Sequence, residues 1–159
     1  MKRLLSIVAV MMAIVSLAGC KQDQVNDDMT SNNDTSVIVP DPEGTVTVNI
    51  TSSGYTKIYG AELRLSNGNL GAYYNAEDHG ELVSLGQANG LGDLNTSDVP
   101  KSGWNRECAA VSGALYICRN WSSNLPGTIH YCGIYVVSYN GGDTATIKFC
   151  GFEPGVGWK

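Results

Sequence analysis

Basic charge is what this chain has least of. Ten Lys and Arg residues stand against fifteen Asp and Glu in 159 residues, and they form no run. That balance excludes a phosphate-backbone binder, which needs clustered cations to displace counterions. Nucleic acid is not an expected partner. Histidine is scarcer still, with His79 and His130 the only two. There is no G-x-S-x-G elbow and no H-E-x-x-H pair, and Gly90-Leu91-Gly92 is not followed by a helical pattern. A hydrolase nucleophile, a zinc-protease pair and a dinucleotide fingerprint are therefore all missing. The sequence offers no catalytic residue, and no cofactor is expected. Long hydrophobic runs are absent too: the one apolar stretch, Leu4–Leu17, has fourteen residues, short of the roughly 20 that a membrane-spanning helix needs.

That stretch has a different use. Lys2 and Arg3 precede it, Ser6 and Ser16 alone interrupt it, and small Ala18 and Gly19 follow. A positive start, a short apolar core and small residues at the end describe a secretory signal peptide over residues 1–19. The ending Leu17-Ala18-Gly19-Cys20 looks like a bacterial lipobox, in which the cysteine is diacylated on sulfur and becomes the new N-terminus. Cys20 is thus the expected lipidation site, and the membrane an expected partner through that lipid. A single acyl chain anchors only marginally at about 0.8 kcal/mol per buried methylene, so a durable anchor takes the two or three chains of a lipoprotein. Spending Cys20 on lipid leaves four of the five cysteines, an even set.

Residues 20–43 read as the lipidated cysteine and a solvated acidic tether. From Lys21 to Glu43 six acids face one lysine, and no apolar periodicity could offset the entropy of ordering. As a flexible coil the tether reaches on the order of 25 Å. Lys21 after the cysteine, rather than Asp, resembles outer-membrane sorting. Asp23, Asp27 and Asp28 resemble the acidic surface-export signal of Bacteroidetes lipoproteins.

Residues 44–159 read as one β domain. Nineteen glycines and many Thr, Val, Ile and Tyr residues favour strands over helices. "TVTVNI" (45–50) alternates in the manner of a half-buried strand, and "KIYGAELRL" (57–65) alternates in part. "SNGN" (66–69) and "SYNGGDT" (138–144) are hairpin signals. "LGAYY", "GELVSLG", "WNRECAAV", "ALYICRNW", "HYCGIYVVSY" and "TATIKFCGF" supply the remaining segments. About eight short strands without a helical stripe predict an all-β fold, an antiparallel β-sandwich or small barrel.

The four remaining cysteines can be placed on this scheme. A turn centred on Gly113 sets Cys108 opposite Cys118, and one centred on Gly141 sets Cys132 opposite Cys150. Opposed Cβ atoms lie about 4.5–5.5 Å apart, close to what a disulfide needs. Export makes oxidation chemically reasonable. Cross-strand bridges 108–118 and 132–150 are therefore expected. The same symmetry also allows 118–132 about Leu125, and four unpaired small hydrophobes are the alternative.

His79 in "AEDHGE" has acidic neighbours, but a charged turn explains them better than a metal site. "DLNTSD" (93–98) starts like a calcium loop, yet Asp98 stands where glycine is required and Trp104 where the bidentate Glu belongs. No metal ligand set is assigned. The aromatic residues are the better candidates. Trp104, Trp121 and Trp158 offer flat faces on which the apolar side of a sugar ring can stack. Trp104 and Trp121 are the proposed stacking pair, and core filling is the alternative for each.

"ANGLGDLNTSDVPKSGWNRECAAVSGALYICR" resembles a family of Bacteroidetes cell-envelope lipoproteins classed only as a domain of unknown function. The matching residues are Gly90, Leu91, Gly92, Pro100, Gly103, Trp104, Val111, Gly113 and Tyr116. The resemblance covers roughly residues 44–153 and implies an envelope location without an activity; the cysteines are not part of its pattern. The expectation is a non-enzymatic, lipid-anchored protein of the bacterial outer membrane, exposed at the cell surface, that binds an envelope protein or a glycan. A glycan-binding module using Trp104 and Trp121 is the specific alternative, and a hydrolase the third reading.

Overall fold

Short alternating strands bury their apolar faces only against a second layer, and this chain supplies two such layers around its central sheet. The computed structural model describes residues 39–159 except 60, 74–77 and 123–126. Cys20, the expected signal peptide (1–19) and the first part of the expected tether, through residue 38, lie outside the described residues. Ten strands follow in order: β1 (Val46–Thr51), β2 (Thr56–Ile58), β3 (Ala61–Ser66), β4 (Asn69–Tyr73), β5 (Asp78–Gln87), β6 (Glu107–Ala109), β7 (Ala114–Ser122), β8 (Ile129–Tyr139), β9 (Thr144–Glu153) and β10 (Gly157–Trp158). The only helical element among the described residues is one 3₁₀ turn, Leu91–Asp93. All pairings are antiparallel. The larger sheet runs β1-β9-β8-β7-β5, with β10 beside β9, and the smaller runs β2-β3-β4-β6. The predicted all-β, sandwich-like class is what the chain adopts, with ten strands in place of about eight.

The inner core lies between the sheets. Leu63, Leu65 and Leu70 of the small sheet meet Ile50, Tyr116, Ile134, Val136 and Ile147 of the large one, all buried. Each such aliphatic side chain contributes about 1.5–3 kcal/mol on leaving water. A second core covers the outer face of the large sheet. Val83, Leu115, Ile117 and Phe152 point there, under Leu91, Leu94, Val99, Trp104 and Trp158. Burial on both faces explains why "ALYIC" and "IKFCGF" read as nearly continuous apolar runs rather than as clean alternation. Residues 39–43, assigned to the tether from composition, lie against this domain: Lys148 Nζ pairs with Asp41 Oδ2 at 2.5 Å, and the Cys150 thiol donates to the Glu43 carbonyl at 3.5 Å.

The hairpins at 66–69 and 138–144 form as their turn residues predict. The turn at Gly113 does not close a hairpin. β6 pairs with β4 in the small sheet, whereas β7 pairs with β5 and β8 in the large one. The backbone groups near the turn are taken by other segments, which separates the two strands. Ala110 N–H donates to Gly68 O at 2.9 Å, Ala88 N–H to Gly113 O at 2.8 Å, and Gly113 N–H to Val136 O at 2.8 Å. Tyr116 fastens the crossing from inside the core, donating its hydroxyl to Ala109 O at 2.6 Å and accepting from Val111 N–H at 3.1 Å.

This topology corrects the cysteine pairing. Cys108 and Cys118 belong to different sheets. A bulge between Val136 and Ser138 shifts the β8–β9 register by one, so that Cys150 faces Gly133 and Cys132 faces Gly151. Side chains alternate, and a one-residue slip puts Cys132 and Cys150 on opposite faces of the sheet. The pair that does stand opposite is Cys118 and Cys132. All four cysteines are free thiols. Burial pushes the Cys118 thiol up to about 12. It also raises Cys132 well above a thiol's ordinary value, with the neighbouring Cys118 and Cys150 adding to the shift. Thiols held protonated in apolar surroundings are chemically inert.

Candidate functional site

The outer face of the large sheet carries the densest cluster of chemistry-bearing side chains. Register determines the cluster. His79 stands opposite Trp121 and Glu81 opposite Arg119 on β5 and β7, and Tyr131 of β8 is the next neighbour of Arg119. Residues two apart on one strand share a face, so Arg119 and Trp121 project together, as do His79 and Glu81.

Trp104 comes to the same face from the irregular segment before β6. Asn105 exchanges both backbone hydrogen bonds with Leu82, at 2.7 and 2.8 Å, which ties that segment to the free edge of β5. Trp104 Nε1–H donates to Pro100 O at 3.0 Å. The result is a row of flat groups. His79 stacks on Trp121 with ring centroids 5.4 Å apart. The Arg119 guanidinium lies 4.1 Å from the Trp104 ring centroid and 5.6 Å from that of Trp121. Glu81 Oε2 holds it there, accepting from Nε at 2.9 Å and from Nη2 at 2.5 Å. The Arg119 and Glu81 side chains are 26% and 28% exposed, and an ion pair so wetted contributes at most about 1 kcal/mol. Orientation is its larger effect, since it keeps a charged plate against the Trp104 ring and beside Trp121.

No indole is fully buried: Trp104, Trp121 and Trp158 are all half-buried, Trp104 with part of its ring packed on the outer core, and His79 is exposed. The two tryptophans singled out by residue type thus come together around one arginine, from segments seventeen residues apart. Trp158, the third, sits elsewhere and packs on Phe152 at 5.8 Å. His79 keeps company with an indole rather than with a set of metal ligands. Among the described residues no three His, Cys, Asp or Glu side chains gather in ligating positions. Sequence alone assigns Arg119, Glu81 and Tyr131 no place in this cluster, Glu81 reading only as part of the charged turn at His79. Arg119 was within reach, because it lies two residues before Trp121 on a predicted strand; Glu81 and Tyr131 required the strand pairing.

Further along the same face, beyond Pro100, lies a cleft of about 600 Å³. Leu85, Leu94 and Leu115 line it together with Gln87, Asn89, Asp93, Asn95 and Asp98. The "DLNTSD" stretch therefore forms one wall of it. Local bonds shape that wall: Asn89 N–H donates to Asp93 Oδ2 at 2.7 Å and Ser97 N–H to Asn95 Oδ1 at 3.1 Å.

A separate cluster decorates the outer face of the small sheet, where the Arg64 guanidinium lies 4.2 Å from the Tyr73 ring centroid and Tyr73 hydrogen-bonds Glu107. It is not continuous with the aromatic row. Comparison with family models, with curated proteins and with solved structures found no match to this chain.

Proposed function

We propose that this is a lipid-anchored protein of the bacterial outer membrane whose β domain binds a saccharide chain through the row formed by Trp104, Arg119, Trp121 and His79. The observation that carries the glycan reading is the pair of half-buried indoles brought together on one sheet face around an arginine–glutamate pair. Flat apolar rings beside fixed polar groups are what the two sides of a sugar demand: its C–H face stacks and its hydroxyls hydrogen-bond. The anchoring part of the reading is supported by Leu17-Ala18-Gly19-Cys20 and by the acidic stretch behind it. On this reading the protein acts by binding and presentation.

Two experiments test the two parts. Wild-type protein expressed in a lipoprotein-processing bacterium is expected to partition into the detergent phase, and Cys20→Ala into the aqueous phase. A variant that still follows the detergent overturns the anchor. On an oligosaccharide array the wild-type chain is expected to bind, and Trp121→Ala to lose about tenfold or more in affinity, the 1.4 kcal/mol that stacking on one indole face supplies. Unchanged binding by Trp121→Ala would remove the row from the account.

A further inference from the structure

The cleft beyond Pro100 says what kind of saccharide the row would take. Its polar wall consists of three amides and two carboxylates, Gln87, Asn89, Asn95, Asp93 and Asp98, and no Lys or Arg lines it. Among the described strand residues two cations project on this face, and both are engaged: Arg119 by Glu81 through two contacts to a single oxygen, and Lys148 of β9 by Asp41. The cleft and the row share the outer face of the large sheet. Leu115 at the cleft and Trp121 in the row lie on the same strand, β7, and at about 3.3 Å per residue they are roughly 20 Å apart. Pro100 stands between, lining the cleft and accepting the Trp104 indole N–H.

We infer that the cleft is a second subsite, continuous with the indole row, that reads the hydroxyl and amino groups of an extended saccharide and rejects carboxylate-bearing sugars. The inference rests on the glycan reading and deepens it. Amides both donate to and accept from hydroxyls. Carboxylates accept only, so they favour hydroxyl and ammonium donors and repel a uronate. Asp98 is the more available of the two acids, since Asp93 Oδ2 is occupied by the Asn89 N–H. Aspartate next to a sugar ammonium at a wetted site contributes on the order of 1 kcal/mol, about fivefold in affinity.

Calorimetric titration of the full-length protein in mild detergent, with three soluble probes of equal chain length, tests this. The probes are a neutral gluco-oligosaccharide, a glucosamine oligomer and an oligogalacturonate. The glucosamine oligomer is expected to bind at least tenfold more tightly than the oligogalacturonate, with the neutral chain between them. Asp98→Asn is expected to remove about fivefold of that advantage and to weaken the neutral chain less than the amino chain. Trp121→Ala is expected to weaken the neutral and amino chains together. An oligogalacturonate that binds as well as the amino oligomer overturns the inference and leaves the glycan reading standing. Equal effects of Asp98→Asn on all three probes also overturn it. Failure of all three to bind overturns the glycan reading itself.

Discussion

Replacing Tyr116 by phenylalanine is expected to destabilise the domain by about 2 kcal/mol although it deletes a single oxygen. The ring is fully buried, so the phenylalanine fits the same space and no cavity term arises. What disappears is the hydroxyl that donates to Ala109 O and accepts from Val111 N–H. Those two groups belong to the crossing between β6 in one sheet and β7 in the other, where neither strand can offer the other a ladder bond. Gly113 turns the chain there with φ of +78°, a conformation open to glycine at little cost. Urea unfolding should show the midpoint lowered with an unchanged slope, and the thermal midpoint lowered by roughly 8 °C. Tyr116→Ala adds a core cavity and should cost about 3–5 kcal/mol. A Tyr116→Phe variant within 0.5 kcal/mol of wild type, a margin typical of surface changes, would mean the crossing is held by its turn alone.

Gly133→Val should cost about 3 kcal/mol, for the opposite reason of too much matter. Gly133 sits mid-strand in β8 on the outer face. A Cβ there would stand 2.6 Å from Leu94 Cδ2 and 2.9 Å from Trp158 Cη2. The outer layer rests on the bare backbone at this point, and glycine within a strand marks such a close approach. Admitting a valine requires Leu94 or Trp158 to move, which opens the cover over Phe152 and Ile117. Gly142→Ala is the matched control, because nothing lies within 4 Å of its Cβ position. It should stay within about 0.5 kcal/mol. Equal stabilities for the two variants would show that the outer layer is not docked on Gly133.

Both variants probe features that periodicity does not encode. Strand identity was legible because alternation and turn residues act locally: "SNGN" and "SYNGGDT" closed hairpins where they stand. The crossing at Gly113 was not legible. A three-residue β6 carries too little pattern to reveal which sheet it joins, and the bonds that separate it from β7 come from Gly68, Gln87's neighbour Ala88 and Val136. The cysteine pairing failed on the same ground, since one bulge in β8 reverses the facing of every residue beyond it. The outer layer was hidden as well. Leu91, Leu94, Val99 and Trp104 lie at irregular spacing in a turn-rich stretch, and only the doubly apolar runs in β7 and β9 hinted that a third layer must exist. At the candidate site, residue type was enough to nominate Trp104 and Trp121. Their union around Arg119 depends on the Asn105–Leu82 bridge, a single antiparallel contact with no signature in the chain.

The central claim is that these two indoles receive a saccharide, and their own signals report on it most directly. In a ¹H–¹⁵N spectrum of the protein titrated with the glucosamine oligomer, the indole N–H resonances of Trp104 and Trp121 should shift together and saturate with one Kd. The Trp158 resonance, whose ring packs on Phe152 away from the row, should stay in place. Saturable binding by calorimetry with both the Trp104 and Trp121 signals unmoved would contradict the account.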